Sequence, residues 1–173
     1  PPRPAPEGNP TRMPSPPVRP PVRPLDLTDE ATAAAVHRIG RASYAVEAAL
    51  IGFDGIPALR ESLQEMRERP LHWSGAVHDE GSIAGFVAWA QEGDGSIGVD
   101  RLCVDPAWFR RGIASRLMRH LLTEAFPDRA VEVTTGAANA PAVALYEGLG
   151  MVRGADFSPV PDLLMAHFTR PAP

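Results

Sequence analysis

Leu102-Cys103-Val104-Asp105-Pro106-Ala107-Trp108-Phe109-Arg110-Arg111-Gly112-Ile113-Ala114-Ser115 is the stretch on which the reading of the chain turns. An apolar strand breaks at Asp105-Pro106, passes through a turn that carries two arginines, and opens a helix. The first N–H groups of a helix have no partner inside it, and its dipole adds partial positive charge at that end. Anions settle at such places. The backbone amides of Arg110, Arg111, Gly112, Ile113, Ala114 and Ser115 are therefore candidate ligands for a phosphate group. Gly112 has no Cβ to keep a ligand away from the backbone, and Ala114 is nearly as small.

The stretch lacks the Lys-Ser/Thr pair of a nucleoside-triphosphate loop and the three spaced glycines of a dinucleotide-binding turn. Phe109-Arg110-Arg111-Gly112-Ile113-Ala114 instead resembles the acyl-CoA loop of the GNAT superfamily of N-acyltransferases, Gln/Arg-x-x-Gly-x-Gly/Ala, with Phe109 in place of the polar first residue. A second stretch, Asn139-Ala140-Pro141-Ala142-Val143-Ala144-Leu145-Tyr146-Glu147-Gly148-Leu149-Gly150-Met151, meets the other hallmark of that superfamily, Asn-x-x-Ala-x-x-Leu-Tyr followed by x-x-x-Gly and a large apolar residue. It lies one strand downstream of the first, as in the family. Two linked motifs arise by chance far less readily than one.

At 173 residues the length suits one domain, and 44% hydrophobic with 22% charged residues is an ordinary globular composition. Residues 1–21 are dominated by proline and nearly free of large apolar side chains, so they read as a disordered arm ahead of a domain at 22–170. Pro14-Ser15-Pro16-Pro17-Val18-Arg19 has the Pro-x-x-Pro-x-Arg spacing of polyproline ligands, a match that proline-rich tails produce easily. A net charge of −4 and a pI near 5.7 argue against nucleic acid as a partner. Every basic residue is arginine. The lone cysteine forms no internal disulfide, and no signal peptide or membrane span is legible, so a cytoplasmic protein with no membrane partner is expected.

Along the chain, Val22 to Leu25 reads as an edge strand because Pro24 lacks an N–H. Asp26 or Thr28 caps a helix bearing Ala33, Val36, Ile39, Tyr44 and Ala48, with Gly40 as its weak point and Gly52 to Gly55 as its stop. Pro57 opens a second helix with Leu59, Leu63 and Met66 inward and a solvated face that includes Glu61. Leu71 to His78, Ser82 to Gln91 and Ile97 to Val104 form an antiparallel meander. Ile113, Leu117, Leu121 and Ala125 mark a third helix. Val131 to Thr134 is a strand, Ala140 to Gly148 a helix, and strands near Met151 to Phe157 and Leu163 to Phe168 end the domain. The expected fold is α/β, a mixed but mostly antiparallel sheet flanked by helices and splayed between the strands ending at Val104 and starting at Val131, as the resemblance implies.

The resemblance also implies an activity: acetyl transfer from acetyl-CoA to a primary amine by direct attack through a tetrahedral intermediate. On that reading Leu102, Cys103 and Val104 offer backbone to pantetheine, an N–H there holds the oxyanion, the loop amides hold pyrophosphate, Asn139 contacts CoA and Tyr146 protonates the leaving thiolate. Taken alone, Asn139 reads as a helix N-cap and Tyr146 as a half-buried aromatic. Asp100 is the leading candidate base, against the alternative of a strand-end carboxylate paired with Arg101; Glu47 or a water chain stands in reserve. Cys103 invites a ping-pong route, although a single cysteine in an apolar strand is more often a small buried side chain. No histidine has metal-ligand spacing, so no metal is expected. A homodimer is compatible with the sequence. The competing reading is a non-catalytic acyl-CoA sensor or partner-binding module on the same fold.

Overall fold

The computed structural model describes residues 19–173. All of the polyproline-like hexapeptide but Arg19, and most of the arm expected at 1–21, lie outside the described residues. Its last residues do not: Pro20 is buried and the Pro21 carbonyl accepts a hydrogen bond from Val77 N–H at 3.0 Å.

One eight-stranded sheet carries the domain. Its strands are β1 (Val22–Pro24), β2 (His72–Val77), β3 (Ile83–Gln91), β4 (Ile97–Val104), β5 (Val131–Gly136), β6 (Val152–Arg153), β7 (Phe157–Val160) and β8 (Leu163–Arg170). They run in the order β1-β2-β3-β4-β5-β8-β6, with β7 also on β8. Every pairing is antiparallel except β4 with β5. Helices α1 (Glu30–Ile51) and α2 (Leu63–Glu68) cover one face; α3 (Ile113–Arg119) and α4 (Ala140–Gly148) cover the other. Pro24 sits on the outermost strand, where its missing donor costs no ladder bond.

β4 and β5 pair only over Ile97–Val99 and Val131–Val133, while β4 stays on β3 as far as Val104 and β5 stays on β8 as far as Gly136. The sheet therefore opens into a V between them. A β-bulge sits where the strands part: Arg101 opposes Ala88 and Val99 opposes Trp89, leaving Asp100 as the extra residue. Side chains alternate faces along a strand, so one added residue exchanges the faces beyond it. Ile97 and Val99 pack with the α3 core, and so do Leu102 and Val104; Cys103 belongs to the α1 core instead.

The helices differ from expectation in instructive ways. Asp29 caps α1, accepting from Thr32 N–H at 2.9 Å, whereas the Asp26 carboxylate closes on Thr28. Gly40 is a packing contact rather than a weak point: a Cβ there would stand 3.5 Å from the Phe86 ring. The second helix does not run through from Pro57. A single 3₁₀ turn, Pro57–Leu59, precedes a separate α2 whose cap is Ser62, paired reciprocally with Glu65. The third helix continues as a π-helical segment, His120–Ala125, which buries Leu122 and leaves Ala125 exposed. The single strand expected near Met151 to Phe157 is two short strands, β6 and β7.

The break between Leu59 and Leu63 frees Glu61 from the solvated face. Its carboxylate receives both terminal nitrogens of Arg101, one at 3.0 Å, and its side chain is only 11% exposed. Arg101, 6% exposed, also donates Nε to Asp100 at 2.9 Å. The hydrogen bond from Arg101 holds the Glu61 carboxyl below its ordinary pKa; burial opposes the Arg101 charge, yet Glu61 and Asp100 raise its pKa overall. Removing one partner of such a pair leaves the other buried without its full complement. Glu61→Gln should cost about 3 kcal/mol of unfolding free energy at neutral pH, measured by denaturant titration. Because the native pKa lies below the ordinary value of 4.5, the difference from the parent is fully present above that pH and fades as pH falls through the lowered value.

Candidate active site

The open end of the V gathers the residues that the sequence singled out. After Val104, Asp105 caps a 3₁₀ turn, Pro106–Trp108, by accepting from Ala107 N–H at 3.0 Å, and Arg38 of α1 pairs with the same carboxylate at 3.3 Å. Arg110 has φ 61 and Gly112 φ 75, two left-handed residues within three. Left-handed residues in such a loop are the geometry in which successive N–H groups form an anion cradle. Gly112 is the α3 N-cap, and among the described residues no N–H from Arg110 to Ser115 finds an acceptor; the first that does is Arg116, bonded to the Gly112 carbonyl at 3.0 Å. A Cβ on Gly112 would meet nothing within 4 Å, so the glycine answers to backbone conformation and leaves the space before the loop open.

Two side chains flank this cradle. The Arg111 guanidinium lies 4.7 Å from the centroid of the Trp108 ring, and Trp108 packs on His78 of the β2 end at 4.1 Å between centroids. Phe109, at the position where the family motif has a polar residue, is exposed. The aromatic anchoring of Arg111 was not legible in the sequence, because His78 lies more than twenty residues away on another strand.

Leu102, Cys103 and Val104 line the V with a strand edge that has no partner strand among the described residues. On the opposite wall, Asn139 caps α4 through Ala142 N–H at 3.3 Å and donates its Nδ2 to the Thr135 hydroxyl at 3.3 Å. That hydroxyl donates in turn to the Glu47 carboxylate at 3.3 Å. The end of α1 thus crosses the V to β5. Gly136 allows it, since a Cβ there would stand 2.6 Å from Ile51 Cγ2.

Tyr146 is 4% exposed and packs on Phe168 at 5.3 Å. Burial pushes its hydroxyl above the usual phenol range, and the Glu47 carboxylate acts the same way. It is held protonated. The Cys103 thiol is fully buried, and burial pushes its pKa up to about 12 despite Ser43 and Tyr44 beside it. A thiol so shifted carries almost no thiolate at neutral pH, which argues against Cys103 as a nucleophile. Asp100 stands in the paired arrangement: besides Arg101, it has Arg69 at 3.6 Å.

A cleft of ≈ 600 Å³ opens on the α1 side of β4, between the 3₁₀ turn at Pro57, α2 and Asp100. Tyr44 forms one wall and stands beside Cys103. Glu47 follows Tyr44 by one helical turn.

The Acetyltransferase (GNAT) family model matches residues 35–151, from α1 to the end of the second motif. The chain belongs to the GNAT acetyltransferase family. Members of this family use acyl-CoA as co-substrate, and the unpaired amides of the loop suit such a donor. The solved ribosomal-protein alanine N-acetyltransferase of Escherichia coli shares the fold at 19% identity, TM-score 0.66, over 87% of this chain and 92% of that one. A histone acetyltransferase-related protein of Corynebacterium glutamicum does so at 16% identity, TM-score 0.72, over 90% and 97%. Among curated proteins, YqkA of Bacillus subtilis is 29% identical over 126 residues, which are 73% of this GNAT chain but 36% of that protein. The chain thus spans about a third of the length of that relative. Among the described residues no helix is long and apolar enough to cross a membrane, and no cluster of potential metal ligands occurs.

The thiol provides a check on the closed side of the V. Cys103 should react with a disulfide reagent at pH 8 at least ~100-fold more slowly than in the chain unfolded in guanidinium chloride, followed spectrophotometrically. Equal rates would mean that the α1 core does not seal β4.

Proposed function

We propose that the protein is an N-acetyltransferase that moves the acetyl group of acetyl-CoA to a primary amine by direct attack. The observation that carries this reading is the V itself, where an unpaired strand edge, a run of unpaired amides and a buried protonated tyrosine converge. The loop from Arg110 to Ser115 would receive the pyrophosphate, with Arg110 and Arg111 adding charge, and Leu102 to Val104 would pair with pantetheine as an added strand. Asn139, whose side chain is already shared between the α4 cap and Thr135, would contact CoA through what remains.

In the reaction the amine nitrogen attacks the thioester carbonyl carbon while a carboxylate takes its proton. A β4 N–H holds the oxyanion. Collapse breaks the carbon–sulfur bond, and Tyr146 gives its proton to the CoA thiolate, leaving amide and free thiol. Two carboxylates compete for the base. Asp100 is committed to Arg101 and flanked by Arg69, whereas Glu47 reaches the V and has no cationic partner among the described residues. The geometry favours Glu47.

A non-catalytic acyl-CoA sensor would need the loop but neither Glu47 nor Tyr146. The two readings separate on release of free thiol from acetyl-CoA in the presence of an amine panel. Tyr146→Phe and Glu47→Gln should each lower kcat by about 100-fold with acetyl-CoA affinity within about twofold of the parent. Asp100→Asn should act mainly on stability. If Asp100→Asn abolishes turnover while Glu47→Gln retains it, the base is Asp100.

Affinity for the donor tests the loop. Gly112→Val should weaken acetyl-CoA binding by more than tenfold, because it strains a left-handed residue and puts a branched side chain before the cradle. Arg110→Ala and Arg111→Ala should each cost about fivefold, less as salt rises, and Phe109→Gln should cost least. Titration calorimetry at low and moderate ionic strength reads all four; parent-like binding by Gly112→Val would remove the loop as the donor site.

A further inference from the structure

The cleft beside β4 is lined by three arginines, Arg60, Arg69 and Arg101, and three carboxylates, Glu61, Glu65 and Asp100. Their charges cancel, but their hydrogen-bonding capacity does not. Arg101 spends Nε and both terminal nitrogens on Asp100 and Glu61. Glu65 closes the α2 capping box by accepting from Ser62 N–H at 2.7 Å. The carboxylates are thus largely engaged. The arginines other than Arg101 keep donors to spare: Arg69 forms ion pairs with Glu61 at 3.7 Å and Asp100 at 3.6 Å but its side chain makes no hydrogen bond, and the Arg60 side chain has neither ion pair nor hydrogen bond among the described residues.

The geometry points to an acceptor that carries a carboxylate as well as its amine, with Arg60 and Arg69 holding the carboxylate in this cleft. This rests on the acetyltransferase reading for the identity of the amine's partner. A guanidinium presents paired donors in a plane that fits a carboxylate. The amine would lie toward Tyr44 and Glu47, at the end of the cleft that adjoins Cys103 and the V. Ile56, Pro57 and Ala58 give the cleft an apolar wall, so a short aliphatic body between the two charged ends fits better than a second charge. A zwitterion also leaves the neutral lining neutral, whereas a diamine would add a cation to a lining whose carboxylates Glu61 and Asp100 already face arginines.

The test is a binding comparison in the full chain saturated with CoA, whose free thiol cannot transfer an acetyl group. Leucine, methionine, β-alanine and γ-aminobutyrate are each titrated against their own primary amides, which keep the amine and body and lose the negative charge. At least one acid should bind about tenfold more tightly than its amide, and the preference should shrink as salt rises. In Arg60→Gln, at an exposed side chain without partners, the preference should fall to about threefold, and in Arg60→Gln/Arg69→Gln to about unity. Circular dichroism establishes that each variant is folded, and the single variant serves if the double one is not. The inference is overturned if no acid binds more tightly than its amide, or if the preference persists undiminished in Arg60→Gln. Turnover with acetyl-CoA is read separately: an acid that binds selectively but receives no acetyl group supports the carboxylate site and overturns the acetyltransferase reading, while rapid transfer to amides and acids alike does the reverse.

Discussion

A strand has two edges, and β4 uses both for only three residues. Beyond Val99 it keeps β3 and gives up β5, which stays on β8 along its whole length. Unpaired backbone in a protein interior is costly, so a gap in a sheet persists only where something else can meet its polar groups. Here that gap is the proposed site. The arginine-bearing loop leaves its upper end at Val104, α4 closes its far wall, and the end of α1 crosses it from below.

The two cores follow from the same parting. The bulge at Asp100 lets Ile97, Val99, Leu102 and Val104 serve one core and turns Cys103 and Arg101 toward the other. Arg101 can be buried because Glu61 descends from the interrupted segment between Pro57 and Leu63 to meet it. That ion pair fastens the segment that roofs the cleft onto the strand that floors it.

Much of this was legible in the chain. Gly112 and the apolar period after it announced α3; Asn139 and Pro141 announced α4; the turn residues around Gly81 and Gly95 announced the meander. What escaped depended on partners distant in sequence. Glu61 resembled a solvated residue because its partner lies forty positions on, and Ser62 was not read as a cap because Pro57 offered a helix start first. The bulge was hidden because alternation in Ile97–Val104 fits either parity, and only pairing to β3 reveals the extra residue. The π-helical segment hid likewise, since Ile113, Leu117 and Leu121 keep an ordinary helical period across its start at His120.

The bulge bears on how such a chain can change over generations. Most positions of β4 present a side chain to one core or the other, and a substitution at any of them is a local matter of volume and polarity. Loss of one codon is different in kind. Removing Asp100 would straighten the strand and leave Arg101 opposite Ala88 with every later side chain on its present face, but it would erase the bulge at the point where β4 parts from β5. Lineages descended from this chain can therefore vary β4 only within those limits of volume and polarity, and a one-residue gap at Asp100 should accompany a change in how far β4 and β5 stay paired.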